Sequence, residues 1–266
     1  VTALKLHRHC PDKEELSQLL SDATTNCGRE VEFREIESAI RDSRRVIEAP
    51  TEGIRPVRRW PERNEERIEA VVCSGPNLAE LAASSPVRWT DDAPHTEKII
   101  DAPFPGNPLL CAGPKQSYSP TRSREEWRGF LEKQQFIVPN PMTARFGKTQ
   151  SGTMSPRTLA NTGPRRFLVV EFDTGTFDHH AAALKHLGKC APLVLVVHSA
   201  NKSLHGWYYC AGEPEAAVEK FFRYAVTLGA DPATWTRCQL VRCPYGLRDN
   251  GKLQRVVYFD PRGVTG

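Results

Sequence analysis

The sequence predicts an α+β fold on three observations. Two runs of strand length, Arg166–Asp173 and Leu193–His198, are rich in β-branched and aromatic residues. Between Pro214 and Leu228, Val218, Phe221, Phe222 and Ala225 recur at i, i+3, i+4 and i+7, which is one apolar helix face. The triplet Asp249-Asn250-Gly251 is a strong turn signal between Cys238–Arg242 and Gln254–Phe259, which read as two further strands. The chain has 266 residues, 39% hydrophobic and 26% charged, enough to bury one large core or two small ones. Its longest apolar stretch, Ala191–Val197, is far shorter than the roughly 18 residues of a membrane span. Val1 to Glu15 is polar and charged, without a basic and then apolar leader, so a secretory signal is expected to be absent or already removed, and a cytoplasmic location is expected.

From the N-terminus, Lys13–Arg45 is rich in Glu, Leu, Ala and Arg and predicts short amphipathic helices, a helical lead-in. Pro50–Glu69 mixes prolines with arginines in Gly53-Ile-Arg-Pro-Val-Arg-Arg-Trp-Pro61, which predicts an extended linker. Residues 1–70 are therefore expected to form one segment, 71–160 a smaller α/β module and 161–266 the main sheet. Within the module, Asn77 caps an expected helix over Leu78–Ala83, Ala102–Pro120 is rich in Pro and Gly, and a second helix is expected near Arg124–Gln134.

The last hundred residues are clearer. A strand at Arg166–Asp173 is followed by a helix over Asp178–Leu187 with Asp178 as expected N-cap, then strands at Leu193–His198 and Leu204–Cys210. The helix Pro214–Leu228 and the two final strands complete the order β-α-β-β-α-β-β. That order is close to a split βαβ, ferredoxin-like or RRM-like sheet.

Glu171 and Asp173, two residues apart at a strand end, are expected on one sheet face, and a third acid, Asp231, follows the amphipathic helix. Three acids on neighbouring segments are a set of hard oxygen donors suited to Mg²⁺ or Mn²⁺. The polar cluster Ser199–His205 would lie opposite them, with Lys202, Ser203 and His205 facing a triphosphate and Arg237, Arg242 and Arg248 as further phosphate or base contacts. All of the formal surplus of +4 lies from Asn161 to Gly266, where 13 Lys and Arg stand against 9 Asp and Glu, a balance that suits a phosphate-bearing partner.

Three motifs in this order resemble the archaeo-eukaryotic primase superfamily, in particular the primase-polymerases of bacterial mobile elements and phages. They are Glu171-Phe-Asp173, Ser203-Leu-His205 and the lone Asp231 followed by Arg237 and Arg242; the stretch Arg242–Gln254 is similar to the Arg-rich segment of that branch. The resemblance covers about Arg165 to Phe259. It implies an RRM-like catalytic core preceded by a smaller module, with Glu171, Asp173 and Asp231 holding Mg²⁺ or Mn²⁺ and Ser203 and His205 binding the nucleotide's phosphates. It further implies nucleotidyl transfer on a single-stranded DNA template from nucleoside triphosphates, with a replicative helicase as partner. The chain departs from the family in carrying Glu171 where Asp usually opens the first motif.

Other readings fit less well. A rolling-circle endonuclease needs His-hydrophobic-His on a strand, and neither His7-Arg8-His9 nor His179-His180 has that pattern. An RNA-binding RRM would present aromatics where Glu171 and Asp173 stand. A catalytically inactive module that binds origin or single-stranded DNA is the remaining alternative. Upstream, Arg145–Arg157 is basic and aromatic-poor and is expected to be a flexible loop, with Arg145, Lys148 and Arg157 as template or triphosphate contacts. Its Gly147-Lys148-Thr149 is similar to a Walker A ending, but Met142 stands where that loop needs Gly. The eight cysteines form no Cys-x-x-Cys pair, so reduced structural thiols rather than a zinc site are expected.

Overall fold

The computed structural model describes residues 12–24, 33–48, 59–89, 93 and 95–264. The chain divides into two compact units, Val1–Arg59 and Trp60–Gly266. In the first unit, helices α1 (Lys13–Thr24) and α2 (Phe33–Glu48) meet through Leu16, Leu20, Ile36 and Ile40, as their periodicity predicts.

The expected linker Pro50–Glu69 lies outside the described residues up to Arg58, and its last five residues are helical. Helix α3 (Glu65–Ser74) starts there because Asn64 caps it, its side chain accepting from the Arg67 amide at 2.9 Å. Trp60 packs edge-on against Phe222 and Trp235, which ties this segment into the core. Helix α4 (Leu78–Ala83) begins as expected with a capping box between Asn77 and Glu80. Helix α5 spans Thr96–Asp101.

Strands β1 (Leu109–Gly113), β2 (Thr121–Ser123), β3 (Phe136–Ile137) and β9 (Val241–Arg242) form one antiparallel sheet in the order β2-β1-β3-β9. Between β2 and β3 the expected helix at Arg124–Gln134 is replaced by two 3₁₀ turns, Glu125–Trp127 and Leu131–Lys133. Gly129, at φ +74°, breaks it, and the fully buried Arg124 guanidinium is held by Glu97 and Asp101. Strands β4 (Gly147–Lys148) and β5 (Met154–Ser155) pair as a hairpin where a flexible loop was expected.

The second sheet contains β6 (Phe167–Glu171), β7 (Leu193–His198), β8 (Leu204–Tyr209) and β10 (Val256–Phe259) in the antiparallel order β10-β7-β8-β6. Helices α6 (Phe177–Leu187) and α7 (Glu215–Thr227) cover one face, through residues such as Leu168, Val170, Ala182, Leu184, Tyr208 and Phe222. Gly206 permits this approach, since a Cβ there would overlap the Leu184 side chain. The opposite face, with Phe167, Val169, Leu195, Val197 and Trp207, packs on Phe104, Leu110, Trp127 and Ile137 of the upstream module. Burial on both faces explains the continuous apolar runs in β6 and β7.

Two expectations are corrected. The N-cap of α6 is Thr176, which accepts from the His179 amide, while Asp178 accepts from the Leu78 amide at 2.8 Å and joins α4 to α6. The segment 238–242 does not pair with 254–259 as strands across the turn: β9 joins β3 and β10 joins β7, and the turn itself is closed by a bridge between Leu247 and Leu253 and by backbone hydrogen bonds such as Tyr245 N–H to the Gln254 carbonyl at 2.8 Å. No helix among the described residues is long and apolar enough to cross a membrane.

Candidate active site

A cleft of about 150 Å³ opens at the ends of β6 and β8, where the second sheet meets β3 and β9 of the first. Seven residues singled out in the sequence line it: Glu171, Asp173, Lys202, Ser203, His205, Arg242 and Arg248. Glu171 ends β6 directly opposite His205 of β8 in the ladder, so both side chains share one face. Phe172 turns the other way and stacks on His180, whose Nε2 lies 2.9 Å from the Thr174 carbonyl, and this braces the turn that carries Asp173. Lys202 Nζ stands 3.3 Å from Asp173 Oδ1.

The loop joining β7 to β8 is closed by Ser199 and Ser203. The Ser203 amide donates to Ser199 Oγ at 3.1 Å, the Ser199 amide donates to the Ser203 carbonyl at 2.9 Å, and Ala200 takes a left-handed φ of +59°. Ser203 Oγ lies 3.4 Å from His205 Nε2, and Glu171 Oε2 lies 3.1 Å from His205 Nδ1. Nδ1 nevertheless makes no hydrogen bond of good geometry, so the carboxyl stands beside it rather than bonded to it.

Electrostatics set the protonation states. Burial, then the nearby Asp231 and Asp173 carboxylates, raise the Glu171 pKa to about 7. Burial, then Arg242, lower that of His205 to about 3. His205 is therefore neutral at pH 7 and offers an N–H donor, while positive charge in the cleft comes from Lys202, Arg242 and Arg248. Burial and Arg248 also lower the pKa of Arg242, whose Nη1 donates to Gln135 Oε1 at 2.6 Å and whose guanidinium lies 4.7 Å from the Phe136 ring centre. Arg248 Nη1 donates to the Ser199 carbonyl at 3.0 Å, and its buried Nε has no hydrogen-bond partner.

The remaining candidates lie elsewhere. Asp231 does not line the cleft but is tethered behind it: its amide donates to the Glu171 carbonyl at 2.9 Å and its Oδ1 accepts from the Ala233 amide. Arg237 donates to the Gly163 carbonyl at 3.2 Å. Arg145 pairs with Glu126 at 2.7 Å, Arg157 donates to the Cys238 carbonyl, and Lys148 is exposed on β4. Conversely, Gln116, Phe136, Asn201 and Gln239 line the cleft without having been singled out. Asn201 lay within the polar cluster already noted, whereas the others carry no local signal.

The oxygen donors suit a hard divalent cation, and the Glu171 pKa is raised first by burial and then by the Asp231 and Asp173 carboxylates, with Arg242 and Lys202 opposing the shift. Among the described residues, however, no three His, Cys, Asp or Glu side chains converge into a ready metal-binding group. The chain matches no protein-family model, and no curated protein or solved structure is significantly similar to it.

Proposed function

We propose that the chain is a primase-polymerase that joins nucleotides on single-stranded DNA by metal-dependent nucleotidyl transfer. The observation that carries this reading is the cleft itself, where Glu171 and Asp173 face Lys202, Ser203, His205, Arg242 and Arg248 across the ends of β6 and β8. The sheet supports it too. Strands β6 and β7 both run antiparallel to β8, which lies between them, with α6 as crossover, and we read this as a split βαβ unit to which β10 adds beside β7 rather than beside the first strand β6.

Glu171 and Asp173, supported by Asp231, would hold Mg²⁺ or Mn²⁺, which when bound stabilises the attacking and leaving oxygens of the phosphoryl displacement. Lys202, Arg242 and Arg248 neutralise the triphosphate, and Ser203 and neutral His205 orient it by hydrogen bonds. Glu171, its pKa raised to about 7, would hold the metal through its deprotonated carboxylate. The hydrophobic wall of Phe136, Leu240 and Val241 faces the sugar or base.

Two alternatives lose support. His179 and His180 lie on helix α6 rather than on a strand, and His7 to His9 fall outside the described residues. The aromatics Phe167 and Trp207 are buried beneath the upstream module and offer no open platform for RNA bases.

The test incubates the purified chain with single-stranded DNA, labelled nucleotides and Mg²⁺ or Mn²⁺, with and without primer, beside Asp173→Ala. Products that vanish in the variant are expected, and unprimed products make the enzyme a primase. Template binding without any product under either metal would overturn this reading in favour of an inactive single-strand-binding replication module. His205→Ala is expected to weaken nucleotide binding about tenfold, the scale of one lost hydrogen bond to a charged group.

A further inference from the structure

The β4–β5 hairpin has two unlike faces. On the inner face Gly147 sits so close to Thr158 and Asn161 that a Cβ would clash with both. Asn161 fastens this base, accepting from the Thr158 amide at 2.8 Å and donating to the Ala144 and Pro156 carbonyls at 3.0 Å. On the outer face Lys148 pairs across the ladder with Met154, and Phe146 shares that face by the two-residue period of an extended chain. Phe146 is 58% and Met154 56% exposed, so two large apolar side chains stand together on this face.

The surroundings say what chemistry suits this face. From Ala144 to Thr158 the chain carries Arg145, Lys148 and Arg157 and no acid. Arg145 is held by Glu126 and Arg157 by the Cys238 carbonyl, whereas Lys148 has no ion-pair partner among the described residues. The Arg157 contact roots the hairpin on the segment whose next residues, Gln239 to Arg242, form a wall of the cleft. An aromatic ring, a thioether and a free ammonium together match an unstacked base and its phosphate.

We propose that Phe146, Lys148 and Met154 form a stacking contact for single-stranded nucleic acid beside the cleft. The proposal rests on the polymerase reading only for the strand's role as template. Phe146 and Met154 stack on bases with little regard to sequence, and Lys148 meets the backbone.

The experiment measures fluorescence anisotropy of a labelled oligothymidylate with the full chain. Phe146→Ala is expected to bind about thirtyfold more weakly, the middle of the range for one lost base–aromatic contact. Lys148→Ala should lower the slope of log affinity against log salt by about 0.7. Phe146→Trp should keep its affinity and show added fluorescence quenching on binding, a sign that a merely structural residue would not give. Unchanged binding by Phe146→Ala, Lys148→Ala and Met154→Ala overturns the proposal, as does a wild-type chain that binds no single-stranded DNA. A change of oligomeric state in Phe146→Ala with unaltered DNA binding would assign the face to self-association and overturn it likewise. The two readings separate cleanly. Synthesis by wild type with hairpin-independent binding leaves the polymerase standing alone, and hairpin-dependent binding without synthesis leaves only the contact.

Discussion

Glu171 and His205 face each other across the β6–β8 ladder, with Oε2 3.1 Å from Nδ1, and burial drives both toward their neutral forms. The folded Glu171 pKa of about 7 exceeds its usual 4.5, so the folded state binds this proton more tightly than the unfolded chain. The associated stability is full below pH 4.5 and is lost as pH rises through 7. His205 acts in the opposite sense, its lowered value costing stability as pH falls from 6.5 toward 3. Glu171→Gln removes only the first effect. In EDTA, its stability relative to wild type should be about 1–3 kcal/mol greater at pH 8 than at pH 5, measured by urea denaturation. Parallel pH profiles would refute the assigned burial.

Asp173 and Asp231 should separate activity from stability. Asp173 is more than half exposed and its pair with Lys202 lies at the surface, so Asp173→Ala should change stability by less than about 0.5 kcal/mol. Asp231→Ala loses the cap on the turn Pro232–Trp235 and should cost about 1 kcal/mol. Both should lower nucleotide incorporation by about a hundredfold or more if their carboxylates serve the metal. Full activity in either variant removes that residue from the site.

Gln135 positions Arg242. Its Oε1 accepts from Arg242 at 2.6 Å, while its own Nε2 donates to the Pro114 carbonyl at 3.1 Å. Gln135→Leu should raise KM for the nucleotide about tenfold with a smaller fall in kcat, as expected for a loosened charge-assisted contact. Gln135→Glu, which still grips Arg242, should recover most of the loss. Equal effects of both substitutions would argue for a purely structural role.

Thiol reactivity tests the packing independently of function. Cys73 and Cys190 are exposed, whereas Cys111, Cys210 and Cys243 are buried, with burial raising the pKa of Cys111 to about 11 and that of Cys210 to about 12. Maleimide labelling read by mass spectrometry should modify Cys73 and Cys190 in the folded chain and the three buried thiols only after denaturation. Rapid labelling of Cys243 would contradict the packing of the upstream module on the sheet.

Elements with a strong local period were legible. Strand β7 spans the expected Leu193–His198, and α7 lies inside the expected Pro214–Leu228. Strands β1, β3 and β9 were not recognised as one sheet, because β3 contributes two residues and finds its partner in Val241 and Arg242, far along the chain. The helix expected at Arg124–Gln134 failed for a similar reason. Its composition favours helix, but Trp127 donates from Nε1 to the Leu110 carbonyl and Arg124 is drawn to α5, contacts that outweigh propensity.

What the sequence determined by itself is the placement of chemistry along the elements. Alternation and motif spacing put Glu171 at the end of one strand and Ser203 and His205 two residues apart at the start of another, since side-chain period is a local property of the backbone. Only the tertiary structure decided that Glu171 and His205 meet, that Arg242 enters their cleft from the other sheet while Arg237 braces Gly163, and that the hairpin turns Phe146 and Met154 outward. Those outcomes depend on pairing between distant segments and on how much water the packing excludes, neither of which is encoded within a single stretch of chain.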